Sequence, residues 1–254
     1  MQLWTYEHAI TVLPGLAVMF LLAVILRKFL KDKPYQVRMI PISVIAVLLV
    51  LLELGKQGTS LMRDYDLYCL PFHFCSLFIF MLPLMAFYKG KGAKTIAAIT
   101  AALCMSVFLL MLIYPNLIYG PWNVQDYFKD FMNLHTVTFH LLVMLAAVLI
   151  LALKLYEPLP KGETKAVIVY ILGFCTVSAT MAHLLKTNYA NYYTCNIPVL
   201  EQVRLAVAQV AGAVPAKLLY IAIVSLLNVA FVYGAQQVCR LVNKLLNKEK
   251  ITIE

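Results

Sequence analysis

The chain reads as an all-α polytopic membrane bundle of seven transmembrane helices. Three observations predict it. Hydrophobic residues make up 63% of 254 residues while charged ones make up 13%, outside the range of soluble domains. The apolar residues fall in seven runs close to the ~20 residues that cross a ~30 Å hydrocarbon core. Lys and Arg concentrate in alternate connections between those runs, as the bias toward cytoplasmic positive charge requires.

The runs are Ile10 to Leu26, Met39 to Leu54, Leu70 to Tyr88, Thr95 to Ile113, Phe131 to Leu153, Ala166 to Leu185 and Val214 to Gly234. They form one domain, residues 1–254, with no soluble module. The amino terminus, Met-Gln-Leu-Trp-Thr-Tyr-Glu, has no basic residue ahead of the first run, so that run is expected to stay as a helix and not to be cleaved. Arg27 to Arg38, Lys89 to Lys94, Lys154 to Lys165 and the tail from Arg240 onward hold fifteen of the 21 basic residues; six lie on the other side. The amino terminus is therefore expected outside and the carboxyl terminus in the cytoplasm, in a multi-pass protein of the cell membrane. The net charge of +9 is assigned to loops that face anionic inner-leaflet lipid. No basic stripe interleaved with aromatics points to nucleic acid.

The outer connections are longer and more aromatic than the inner ones. The last carries Thr-Asn-Tyr-Ala-Asn-Tyr-Tyr-Thr-Cys, then a helix expected to lie on the surface or to re-enter over Pro198 to Ala213. All five histidines, His8, His73, His135, His140 and His183, fall at this same end of the helices. Near-neutral titratable groups gathered in one membrane layer point to a site there. The six cysteines show no CxxC spacing, so no metal or cofactor is implied. Cys69 and Cys195 both lie near the outer boundary, where an oxidising compartment permits a disulfide.

Two stretches carry the candidate chemistry. In Asp64-Tyr-Asp-Leu-Tyr-Cys-Leu-Pro-Phe-His-Phe-Cys-Ser76, Cys69, His73 and Ser76 would share one helical face, with Pro71 able to disturb the first turn. Cys75 would lie about 200° from His73, so any base for it must come from another helix. In Asp130-Phe-Met-Asn-Leu-His-Thr-Val-Thr-Phe-His140, Asn133, Thr136 and His140 share a face and His135 lies about 140° away, which disfavours a zinc site on one helix. By depth His140 and His73 should converge, as base and orienter or as ligand holders. His135 is expected nearer the water. Glu53 either orients a histidine or snorkels outward with Lys56, the latter being favoured. His8 and His183 are read as interfacial, and Asn188 and Tyr189 complete the layer.

The Leu-Pro-Phe-His-Phe-Cys-Ser segment, the Pro115 turn, His135 with His140, and Thr187-Asn188-Tyr189 together resemble the YwaF-like bacterial integral membrane proteins. That family is distantly similar to an animal transmembrane acyltransferase that remodels ether phospholipids through a Cys acyl intermediate, and to androgen-induced lipid hydrolases that pair Thr with His. The resemblance implies an acyl-transfer or lipid-ester hydrolysis enzyme acting on a membrane lipid. It carries His73 and His140 over but no nucleophile, because the animal enzyme has its Cys immediately before the counterpart of His73 and Phe72 stands there in this chain. Cys75, Cys69, Ser76 and Thr136 are the substitutes, with Asn133 or Asn188 as oxyanion donors. A transporter or small-molecule receptor using the same polar layer is the alternative. Scarce mid-membrane charge and the lack of a repeated helix break argue against transport. Lys217, at the outer start of the last run and not at its middle, argues against a retinal receptor.

Overall fold

The computed structural model describes residues 4–119, 126–194 and 198–248. Among the described residues nine α-helices run in chain order, with no strand: α1 (Tyr6–Leu30), α2 (Tyr35–Leu61), α3 (Phe78–Phe87), α4 (Ala93–Ile113), α5 (Asn116–Tyr119), α6 (Phe131–Ala152), α7 (Glu163–Leu185), α8 (Pro198–Ala211) and α9 (Ala213–Lys248). Six of them, α1, α2, α4, α6, α7 and α9, are long and apolar enough to cross a membrane. This makes the chain a multi-pass membrane protein.

The third apolar run corrects the expectation of seven full spans. Only Phe74–Phe87 of it is helical; its first turn, Phe74–Leu77, is a tighter 3-10 turn that leads into α3. Leu70 and His73 are extended, with ψ of 148° and 154°. Pro71 is the physical cause, since proline disfavours the helical region for the residue before it and has no N–H for a ladder. Unwound backbone is tolerated inside a membrane protein when side chains satisfy it. Here Ser178 of α7 donates to the Phe72 carbonyl at 2.8 Å and Gln57 of α2 to the Cys69 carbonyl at 2.8 Å. The Tyr189 hydroxyl donates to the Leu67 carbonyl.

At the centre stands α4, buried without a break from Ala97 to Val107 and packed against α3, α6, α7 and α9. A helix apolar on every side belongs in such a place, and its small residues, Ala97, Ala98, Ala101 and Ala102, let neighbours approach closely. At the rim α1 packs mainly on α6 and turns Leu13, Val18, Leu21 and Val24 outward, toward lipid. Helices α2 and α6 meet closely where Phe131 covers Gly55: a Cβ there would lie 2.5 Å from the ring's Cζ. That contact seats the end of α2 beside the start of α6.

The two ends of the bundle are built differently. At the basic end the buried Glu163 opens α7, where the helix dipole favours a carboxylate. It accepts from Tyr156 at 2.6 Å, the Leu159 amide at 2.7 Å and Gln236 at 2.8 Å, with Arg240 at 3.4 Å. Arg38 caps the end of α6 through the Leu153 carbonyl at 2.6 Å. At the histidine end α8 lies against α9, close to the range expected for a surface or re-entrant helix, and Gly212, at φ +91°, makes the turn between them. The Arg204 guanidinium holds the Glu201 carboxyl of α8 below the usual carboxylate range.

Candidate functional site

The ends of α2, α4 and α6, the start of the Phe74–Phe87 helix, the loop after α7 and the middle of α9 enclose a cavity of about 400 Å³. It brings together most of the residues singled out in the sequence: Cys69, His73, Cys75 and Ser76 from the broken third segment, His135, Thr136 and His140 from α6, Glu53 from α2, and Asn188.

Cys75 and His140 meet directly across this cavity. The His140 Nε2 lies 2.9 Å from Cys75 Sγ, and its Nδ1 lies 2.6 Å from the Thr136 carbonyl oxygen. A carbonyl only accepts, so the Nδ1 carries the hydrogen and Nε2 presents a lone pair. The thiol therefore donates to the imidazole, the arrangement in which a base can take a cysteine's proton. The ring is held on two sides by Tyr119 and Phe139, at centroid distances of 5.9 and 5.7 Å. Because the third segment unwinds before Phe74, Cys75 is the second residue of a new helix inside the protein.

His73 lies in the extended residues just ahead. It donates through Nε2 to the Tyr68 carbonyl at 3.0 Å and is flanked by the rings of Tyr68 and Tyr189. Burial pushes the Tyr68 phenol above its ordinary value, leaving it neutral at the cavity wall.

A second polar group lines the same cavity. Glu53 pairs with Lys56 at 2.8 Å and accepts from Gln57 at 2.7 Å. Its other oxygen faces the His135 Nε2 at 3.7 Å, beyond hydrogen-bond reach.

Several expectations change. Cys69, His73 and Ser76 do not form one helical face, because the chain is extended between them; they converge by lining one cavity instead. Glu53 does not snorkel outward but is buried with three partners. His135 is 8% exposed and His8 1% exposed, so neither sits in water at the boundary. His8 instead closes a capping box with Thr5 at the start of α1 and stacks on Tyr119, while His183 lies against Tyr193 outside the cavity. Asn133 is not part of the wall: its side chain donates to the Asp126 carbonyl. Tyr189 acts from behind, holding Leu67 and His73. Thr136 contributes its carbonyl to His140 while its hydroxyl returns to Met132. Asn188 spends its Oδ1 on the amides of Tyr193 and Thr194. Cys195, the expected disulfide partner of Cys69, lies outside the described residues.

Wall residues that the sequence did not single out for the site include Ser106, Asn191, Asn228 and Phe231. Asn228 lies deep in an apolar run, and a polar side chain at such a depth is itself a signal. Among the described residues no group of three His, Cys, Asp or Glu is placed to hold a metal ion.

Residues 3–234 match the model of the TMEM164 family. No curated protein and no solved structure matches the chain.

Proposed function

Since this chain belongs to the TMEM164 family and brings a thiol and an imidazole together inside its bundle, we propose that it is a membrane-embedded acyl-transfer or lipid-ester hydrolysis enzyme, with Cys75 as nucleophile and His140 as general base. The observation that carries this reading is the 2.9 Å contact between Cys75 Sγ and His140 Nε2, with Nδ1 fixed on the Thr136 carbonyl. The animal acyltransferase that the sequence resembles has its cysteine just before the counterpart of His73. Here the thiol stands two residues after His73, and α6 supplies its base.

The steps follow from the geometry. His140 Nε2 takes the Cys75 proton as sulfur attacks the carbonyl carbon of a lipid ester. The positive helix end beside Cys75 stabilises the developing negative charge. As the carbon–oxygen bond breaks, His140 returns the proton to the departing alcohol, leaving a thioester on Cys75. An acceptor alcohol or water then takes the acyl group, giving transfer or hydrolysis. Val107, Leu110, Phe139 and Phe231 supply an apolar wall for the acyl chain. By the distribution of basic residues this end of the bundle faces outward, so the lipid is drawn from the outer leaflet of the cell membrane.

The test is labelling of Cys75 in native membranes with a lipid-like, thiol-directed activity probe. Cys75→Ala should abolish labelling, and His140→Ala should slow it by about 10²–10⁴-fold. Labelling that persists in Cys75→Ala, or that is indifferent to His140→Ala, would refute the assignment.

A further inference from the structure

The Cys75–His140 pair accounts for one half of an acyl transfer and leaves a second buried acid–base pair in the same cavity without a task. His135 is 8% exposed, and its Nε2 is wholly buried with no hydrogen-bond partner. It faces Glu53 Oε2 at 3.7 Å. With the buried Nε2 turned to Glu53, Nδ1, the ring nitrogen that is not wholly buried, is the one left to the cavity that His135 lines. Glu53 is held in place by Lys56 and by Gln57, which is itself fixed to the Cys69 carbonyl and the Tyr65 hydroxyl. Its carboxylate is thereby oriented to meet an imidazolium should one form. His135 and His140 lie on either side of Phe139, at centroid distances of 5.3 and 5.7 Å. The two bases thus share one cavity without sharing a proton.

Resting on the reading of Cys75 as nucleophile, we infer that His135, positioned by Glu53, is the base that activates the acyl acceptor, and that the acceptor is a hydroxyl compound, either an alcohol or water. In this step the acceptor oxygen attacks the carbonyl carbon of the Cys75 thioester while its proton passes to His135 Nδ1, the Nε2 edge staying turned to Glu53. The carbon–sulfur bond breaks and the Cys75 thiolate leaves. The His135 imidazolium, paired with Glu53, gives its proton to water at the cavity mouth, and the thiolate takes one back. The sum is thioester plus alcohol giving ester plus thiol, or thioester plus water giving acid plus thiol. A neutral hydroxyl needs such a base, because its proton is too weakly acidic to leave unaided. His140 remains the base of the first half, its Nε2 facing sulfur.

The experiment uses the full chain in phosphatidylcholine nanodiscs with p-nitrophenyl decanoate as the acyl donor. It reads the p-nitrophenolate burst, the steady-state rate, and the decanoyl adduct on Cys75 by intact mass. His135→Ala and the bulkier His135→Gln should both keep a full burst and accumulate decanoyl-Cys75, with discharge slowed about 10²–10⁴-fold. Glu53→Gln should slow discharge by a smaller factor at unchanged burst amplitude. Misfolding would remove the burst, so a preserved burst separates the proposed role from a structural one. Discharge at the parental rate in both His135 variants overturns the inference while leaving Cys75 as nucleophile intact. A lost burst in both His135 variants overturns it as well, because the residue would then belong to the first half or to the fold. No adduct on the unmutated chain overturns the nucleophile assignment and this inference with it.

Discussion

Replacing Ser178 by Ala tests whether side chains hold the third segment open ahead of Cys75. The Ser178 hydroxyl, fully buried on α7, donates to the Phe72 carbonyl at 2.8 Å, and Phe72 is two residues before the helix that carries Cys75. Removing the donor leaves a carbonyl with neither water nor protein to satisfy it, at a cost of about 1–3 kcal/mol. At about 2–4 °C per kcal/mol for a chain of this size, the thermal midpoint should fall by about 2–12 °C. The same energy bears on local opening of the extended residues, so the rate of Cys75 alkylation by a membrane-permeant maleimide should rise by about 5–150-fold. Both quantities are measurable in nanodiscs, midpoint by scanning fluorimetry and alkylation by mass. Ser178→Thr, which keeps the hydroxyl, should behave like the parent. A Ser178→Ala chain with unchanged midpoint and unchanged Cys75 reactivity would show that the unwound segment is held by something other than this bond.

Two further outcomes follow from packing and charge. Gly55→Ala places a methyl 2.5 Å from Phe131 Cζ, so the ring must move, and overpacking of this kind costs about 1–3 kcal/mol. A lowered midpoint that Phe131→Leu partly restores is the expected result in thermal scans. Glu163→Ala strands the Arg240 guanidinium and the Tyr156 and Gln236 donors at the basic end. Each buried donor left without its acceptor costs about 1–3 kcal/mol, and Arg240 keeps its bond to Thr164. The variant should be recovered from membranes at low yield, while the Cys75 probe still labels whatever is folded.

What was legible in the sequence is the part written in runs and charges. Six of the seven apolar runs are full helices, and their ends gather the histidines at one end of the bundle because depth along a helix follows directly from position. The seventh run fails for a reason hydropathy does not weigh. Leu70 to Phe72 is as apolar as a span, yet Pro71 breaks the ladder and Ser178, Gln57 and Tyr189, remote in sequence, satisfy the freed carbonyls. The helical angle between positions 73 and 75 does not apply, because His73 is extended and the helix starts at Phe74. That Cys75 meets His140 depends on how α6 packs against the broken segment, and no local pattern holds that information. Glu53 and His135 were placed too near the water because a charged residue at a helix end usually reaches outward. Gly55 lets Phe131 lie directly on α2, and Glu53 and His135 are both buried.

Helix α9 has a mechanical consequence. Its 36 residues make a rod of about 54 Å, well beyond a hydrocarbon core of ~30 Å. Asn228 and Phe231 on this rod form part of the cavity wall, whereas Gln236, Arg240 and Asn247 clamp the connection between α6 and α7 at the opposite end. A rod that is stiff between those two stations transmits tilt in both directions. A push on the basic end moves one wall of the cavity, and a bulky acyl chain seated against that wall strains the clamp. The one helix α9 therefore joins the hydrogen-bonded clamp at the basic end to a wall of the cavity.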